Sequence, residues 1–290
     1  MKKIITLALA ALLAVGTIGM VSCGNETAEN TETPVQGEEN AAPEVNEEAE
    51  KEAEKEAEKE EEAPAKREKL VVYTNAEFAP FEYVADGKVV GIDIDICQKI
   101  ADEMGCTLEI VNTDFDSIIG SIASGKGDIG ASGFTINEER KQQVNFSIPY
   151  YNTTQYMVVP KGSDIKSVQD LAGKNVAVQI GTTGDLAITD MNLEGITITR
   201  LNNANEGGLG LGTKYDAVVI DEPTAKNIAA VNGFDTVIVE GLETEQYGFA
   251  FNKTATDILE AANKVIAEMI NDGSLAESVN YHTDASAVTE

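Results

Sequence analysis

Val176-Ala-Val-Gln-Ile180, followed by Gly181-Thr-Thr-Gly-Asp185, is the stretch on which the fold turns. An apolar run, then a Gly-Thr turn, then residues able to continue as a helix is the sequence form of a strand feeding a helix. Such a turn presents backbone N–H groups and a positive helix end, which receive anions at the carboxyl end of a strand in an open α/β sheet. Taken alone it serves equally well as a structural turn. The same pattern occurs upstream, where Asp128-Ile-Gly-Ala-Ser132 reads as a strand and Gly133-Phe-Thr-Ile-Asn-Glu-Glu-Arg140 carries the chain into a helix. Arg140 falls in the first turns of that helix, and its planar fork suits bidentate capture of a carboxylate. Without context, a surface pair with Glu is the plainer reading.

Working outward, strands and helices alternate on both sides of these turns. Leu70 to Tyr73 and Val89 to Ile92 read as strands, the second after an Asp86-Gly87 turn. Asp95 is placed to cap a helix with an apolar stripe of Ile96, Ile100, Ala101 and Met104. Thr107 to Val111 is a strand, and Ser117 to Ser124 a short helix. A second block follows Tyr156-Met-Val-Val159, with strands at 175–180, 196–201, 217–220, 236–239 and 246–251. Ala255 to Ile270 is a strongly periodic helix closed by Asn271-Asp-Gly273. Interleaved β and α elements predict an α/β fold of largely parallel sheets flanked by helices. The Gly207-Gly208-Leu-Gly-Leu-Gly212 run sits where a helix belongs and predicts a short or irregular one. Cys97 and Cys106 lie at opposite ends of one helix, too far apart to bridge, and are expected as free, mostly buried thiols.

Composition removes several function classes. Fifty acidic residues against 21 basic give a net charge of −29, which argues against any surface that neutralises phosphates and so against nucleic acid. Three Cys and one His supply no zinc cluster, and no cofactor or metal is expected.

Residues 1–22 have a basic start and an apolar run too short for a membrane span, the form of a secretory signal. Met20-Val-Ser-Cys23 resembles a bacterial lipobox, in which Cys23 would be lipidated as the mature N-terminus; plain secretion with an incidental Cys is the alternative. Residues 23–68 form an acidic tether. From 26 to 68 it holds 17 Glu and no Asp, with Ala and Val its only apolar types besides Pro and Gly, so it cannot bury a core. Its Lys51-Glu-Ala-Glu period suits a short solvated helix. Residues 69–290 remain acidic, at a net −19.

Seven stretches carry a family resemblance: Asn75-Ala-Glu-Phe-Ala-Pro-Phe-Glu82, Val90-Gly-Ile-Asp-Ile-Asp95, Asp114-Phe-Asp-Ser-Ile-Ile119, Gly133-Phe-Thr-Ile-Asn-Glu-Glu-Arg140, Asn145-Phe-Ser-Ile-Pro-Tyr-Tyr151, Gln179-Ile-Gly-Thr-Thr-Gly184 and Asp216-Ala-Val-Val-Ile-Asp-Glu-Pro223. In this order they resemble the type II periplasmic solute-binding proteins of polar amino acid ABC transporters, over essentially all of residues 69–275. The resemblance implies two lobes, 69–156 with 247–290 and 158–245, joined by two crossovers with hinges near Met157 and Gln246. It implies that Arg140 pairs with a ligand α-carboxylate, helped by Gly133, Thr135 and Thr183. Asp221 would take the α-ammonium, and Phe78 and Phe115 would sandwich the side chain. Two departures stand out. The end of the chain has Tyr281-His282 and no Trp, and the Gly-rich run replaces an apolar helix.

The function so implied is an extracytoplasmic, lipid-anchored monomer that binds a free amino acid, closes on it and delivers it to an ABC permease. A sensor or adhesin on the same fold is the alternative, and a dehydratase-like enzyme a weaker one. The resemblance places Asn75 and Gln179 at the side-chain end of the cleft; both are neutral amides, which favours neutral polar ligands first, basic ones second and acidic ones last. Glu77, if turned inward, would restore a preference for a basic tip.

Overall fold

A computed structural model of the chain describes residues 67–286. The leader, Cys23 and nearly all of the tether lie outside the described residues. None of the described helices is long and apolar enough to cross a membrane.

Lys69-Leu-Val-Val-Tyr-Thr74 buries Leu70, Val72 and Thr74 completely, so one side of the strand belongs to the core. This is β1 (Lys69–Thr74), after which β2 (Glu77–Phe78), β3 (Glu82–Ala85) and β4 (Lys88–Val90) make a small antiparallel sheet leading into helix α1 (Ile92–Met104). β5 (Thr107–Asn112), α2 (Phe115–Ala123), β6 (Ile129–Gly130), α3 (Glu138–Gln143), β7 (Asn145–Phe146) and β8 (Tyr151–Thr153) follow. The second block runs β9 (Gln155–Val159), β10 (Asn175–Gln179), α4 (Thr183–Asp190), β11 (Thr197–Leu201), α5 (Ala204–Gly210), β12 (Ala217–Asp221), α6 (Glu222–Asn232) and β13 (Asp235–Ile238). β14 (Glu245–Tyr247), β15 (Ala250–Phe251), α7 (Thr256–Asp272) and α8 (Ser274–Ser286) return the chain to the first block.

The two sheets share one plan, β5-β1-β6-β15-β7 and β11-β10-β12-β9-β13. In each, the first three strands pair in parallel and the rest join through antiparallel pairs. The parallel strands β1, β6, β10 and β12 end immediately before or within the segments Asn75–Phe78, Ser132–Thr135, Gln179–Thr183 and Asp221. The carboxyl-end crevice expected of an open α/β sheet therefore receives all four.

Several local expectations change. The first long helix starts at Ile92 with Gly91 as N-cap, not at Asp95. Gly91 has φ 140°, and a Cβ there would lie 2.0 Å from the Phe81 carbonyl oxygen, so the chain reaches this helix only through glycine. Asp95 instead sits in the first turn and accepts hydrogen bonds from Ser278 and His282 of α8. The strand expected over 246–251 is broken at Gly248-Phe249, because its halves serve different sheets: β14 pairs with β8, β15 with β6 and β7. Met157, read as a hinge, lies inside β9 between β12 and β13, and the paired crossover strands are β8 and β14. The Gly-rich run does form a short helix, α5, where bare glycine faces let it approach Val218 and Ile228. Cys97 and Cys106 are free thiols, the first buried and the second half-buried. Helix α8 was not foreseen; His282 is its buried anchor, with Nδ1 at 3.0 Å from the Tyr83 hydroxyl.

Candidate functional site

All nine residues singled out in the sequence line one cleft. Asn75, Phe78, Phe115, Gly133, Thr135 and Arg140 come from the first block, and Gln179, Thr183 and Asp221 from the second. Ser132 and Thr182 complete the lining of this narrow cleft.

Arg140 is held from three sides. Asn137 caps its helix by accepting the Arg140 backbone N–H at 2.8 Å. The guanidinium lies 5.5 Å from the Phe115 ring centre and 5.2 Å from that of Phe134. These two rings stack on each other at 4.7 Å, so one aromatic pair both walls the cleft and orients the cation. Nη1 donates to the Thr135 carbonyl at 2.9 Å and Nη2 to the Gly181 carbonyl at 3.2 Å, the latter reaching the second block. Two of its five N–H groups are thus used, and the fork keeps donors for a ligand. Burial lowers its pKa, while Asp221 and Glu245 oppose the shift.

Gly133 stands at φ 54°, and a Cβ there would meet the Phe78 ring at 2.8 Å. Glycine is required both by the left-handed backbone and by the close approach of the aromatic wall. Phe78 in turn lies on Phe81 at 5.7 Å. Tyr247, fully buried, packs against Phe78, Phe81, Tyr150 and Tyr151 and ties the cleft wall to the crossover strands.

Asp221 ends β12, and its carboxylate is buried with Oδ1 taking no hydrogen bond. Burial, then the Glu245 charge, pushes its pKa from 3.8 to about 7. The Tyr247 hydroxyl and Gln155 amide ease that shift without reaching hydrogen-bond geometry at Oδ1. An unpartnered buried carboxylate oxygen is costly, and a cationic donor is the group that would relieve it. Across the cleft, Gln179 Nε2 donates to Asn75 Oδ1 at 3.0 Å, joining the two amides expected at the side-chain end. Glu77 neighbours Phe78 in sequence, half-buried, and does not itself line the cleft; its pKa is raised by burial, then by Glu206 and Asp114.

Sequence reasoning missed Glu245. Its carboxylate accepts the hydroxyls of Thr135 and Thr183, one from each block, and the Gln155 amide at 3.0 Å. Nothing local marks it, since it lies in an extended crossover; only the spatial meeting of β14 with both turns reveals it. Gln155 was hidden likewise, one residue ahead of the Tyr156-Met-Val-Val159 run.

The model of the bacterial extracellular solute-binding proteins, family 3, matches residues 70–284. A probable histidine-binding protein of Neisseria gonorrhoeae is 31% identical over 278 residues, spanning 91% of each chain. Among solved structures, the arginine-bound form of ArgBP from T. maritima superposes with a TM-score of 0.65 at 44% identity, covering 69% of this chain and 96% of that one. An ancestral arginine-binding protein bound to glutamine gives a TM-score of 0.69 at 38% identity, covering 77% and 99%.

Proposed function

The chain belongs to the bacterial extracellular solute-binding proteins, family 3, and is an amino-acid-binding protein of the ABC-transporter class rather than an enzyme; from that premise we propose that it captures a free L-amino acid with a cationic side chain, arginine first. The observation that carries this is the pairing, in one cleft, of a buried guanidinium with spare donors and a buried carboxylate with one oxygen lacking a partner. An α-amino acid supplies the complement of both. Its carboxylate meets Arg140, with the backbone N–H groups of Thr135 and Thr183 donating further while Glu245 holds their hydroxyls and Asp93 the Gly133 N–H, and its ammonium meets Asp221.

The preference for a basic tip follows from charge. Asp221 and Glu245 outnumber Arg140 around the cleft, and Glu77, whose charge is crowded by Glu206 and Asp114, belongs to the Asn75–Phe78 segment whose ends line it. A cationic side chain relieves both excesses; an acidic one would add a buried charge without a partner. This reverses the order expected from Asn75 and Gln179 alone. The amide pair and the glutamine-bound relative favour a neutral polar ligand as the second reading.

Because Arg140 and Asp221 lie on different blocks, a ligand bridging them binds the closed arrangement more tightly and draws the lobes together, with β8 and β14 as the hinge strands. The closed protein then delivers its ligand to an ABC permease, as a monomer held to the membrane by lipid on Cys23 at the end of the tether.

A thermal-shift screen of the twenty amino acids tests the ligand class. At about 100 times its dissociation constant a ligand adds roughly 2.7 kcal/mol, or about 5 to 11 °C for a body of this size. L-arginine is expected to give the largest shift. A largest shift with glutamine selects the second reading, and one with glutamate or aspartate, or no shift at all, refutes both.

A further inference from the structure

Behind the cleft, out of reach of any ligand, two carboxylates lie side by side with no solvent exposure: Glu82 on β3 and Asp93 in the first turn of α1. Asp93 accepts the Gly133 backbone N–H at Oδ2, 3.0 Å away, and the Tyr150 hydroxyl at Oδ1, 2.6 Å away. Glu82 Oε1 accepts the Ser132 hydroxyl at 2.8 Å, and that hydroxyl accepts the Asn75 backbone N–H at 3.2 Å. Glu82 Oε2 is buried and receives no hydrogen bond. Three donors therefore serve four carboxylate oxygens. Among the described residues, the other titratable groups against the pair are Cys97 of α1 and Tyr150, and no cation is among the groups that act on it. Two adjacent buried anions without a counter-charge are untenable; one proton placed on Glu82 Oε2 and donated to Asp93 satisfies the fourth oxygen and removes the second charge.

We propose that Glu82 is a neutral, proton-bearing carboxyl that, with Asp93, acts as a positioning residue for the cleft. Through Ser132 and Gly133 the pair ties the segment at Asn75 to the turn at Gly133 to Thr135, both of which line the cleft. Burial holds Glu82 well above the carboxylate range, with the Asp93 charge adding to it. Burial also pushes Asp93 up to about 7, against the hydrogen bonds from Tyr150 and Gly133. The titration belongs to the pair as a unit.

The sign follows. The unfolded chain releases both protons near pH 4, whereas the folded pair keeps that of Glu82 throughout and that of Asp93 up to about pH 7, so the native state loses stability as pH rises above the unfolded values, and Glu82 accounts for one proton of that slope. One retained proton makes the unfolding equilibrium constant grow about tenfold more per pH unit. Denaturant unfolding of the full chain between about pH 5 and 8 should therefore be steeper in pH for wild type than for Glu82→Gln, by about that tenfold per unit. Equal slopes overturn the proposal. Infrared difference spectra at about pH 8.5, where Asp93 and Asp221 are ionised, supply an independent readout. A protonated-carboxyl band present in wild type and missing in Glu82→Gln is expected, and absence of the band in wild type overturns the proposal even if the variant folds poorly. The positioning role deepens the amino-acid reading of the cleft and has its own arm. By calorimetry with L-arginine, Glu82→Ala should weaken binding about tenfold and Glu82→Gln, which keeps a donor without charge, should recover most of the loss. Undiminished binding by Glu82→Ala overturns the positioning role. If wild type itself does not bind L-arginine, the ligand reading fails while the proton difference still decides the state of the pair.

Discussion

Replacing Asp221 with Asn should weaken ligand binding and stabilise the empty protein, two effects of opposite sign from one oxygen-to-nitrogen exchange. Asp221 is 5% exposed, its Oδ1 has no partner, and Glu245 adds a like charge beside it. Burial, then the Glu245 charge, pushes its pKa from the ordinary 3.8 up to about 7. At 1.4 kcal/mol per pH unit, the ionised carboxylate costs the fold up to about 4 kcal/mol above pH 7. The folded pKa is raised, so the associated stability is fully present below the unfolded value and lost as pH rises through about 7. Asn removes the titration and the like-charge contact with Glu245. The unliganded Asp221→Asn variant should melt several degrees above wild type at about pH 8, within a ceiling of roughly 8 to 16 °C, and the gap should close towards pH 5. Binding moves the other way. A ligand ammonium facing a neutral amide loses a buried charge pair worth about 2 to 5 kcal/mol, or roughly 30-fold to a few thousandfold in affinity. Scanning fluorimetry over a pH series and calorimetry with L-arginine read the two effects separately. Near-wild-type affinity would remove Asp221 from the site, and a lower melting point at pH 8 would show that its charge is compensated in the free protein.

Arg140→Lys keeps the charge but not the fork, and a lysine cannot donate to both the Thr135 and Gly181 carbonyls while presenting two donors to a carboxylate. Calorimetry should show at least about a thirtyfold loss of affinity for L-arginine; a change under about threefold would mean that Arg140 is a structural cation only. Cys23→Ser should shift the protein from the membrane to the soluble fraction or stall its processing, because only the thiol accepts the lipid. Detergent partitioning identical to wild type would reject the lipid anchor.

What could be read from the chain before folding was whatever depends on neighbours in sequence. Apolar runs punctuated by Gly-Thr and Gly-Phe-Thr turns specify strand-to-helix units, and a strand that ends in such a turn must deliver it to the carboxyl edge of its sheet. Arg140, Thr135, Thr183 and Asp221 were therefore legible as candidates, each being a chemical specialist at the end of a recognisable strand. Their meeting in one cleft was legible only through resemblance, since nothing local relates residue 140 to residue 221. Tertiary structure alone decided the rest. Glu245 and Gln155 sit in extended segments with no turn or periodicity, and they matter because the crossover strands pass between the two turns. Asp95 looked like a helix cap because its residue type is a common one, yet the packing limit at Gly91 starts the helix earlier and turns Asp93 into the core. Nothing local sets Glu82 and Asp93 apart from other carboxylates in the sequence; once they are buried together, charge becomes a property of the pair, and that depends on desolvation, which no linear pattern records.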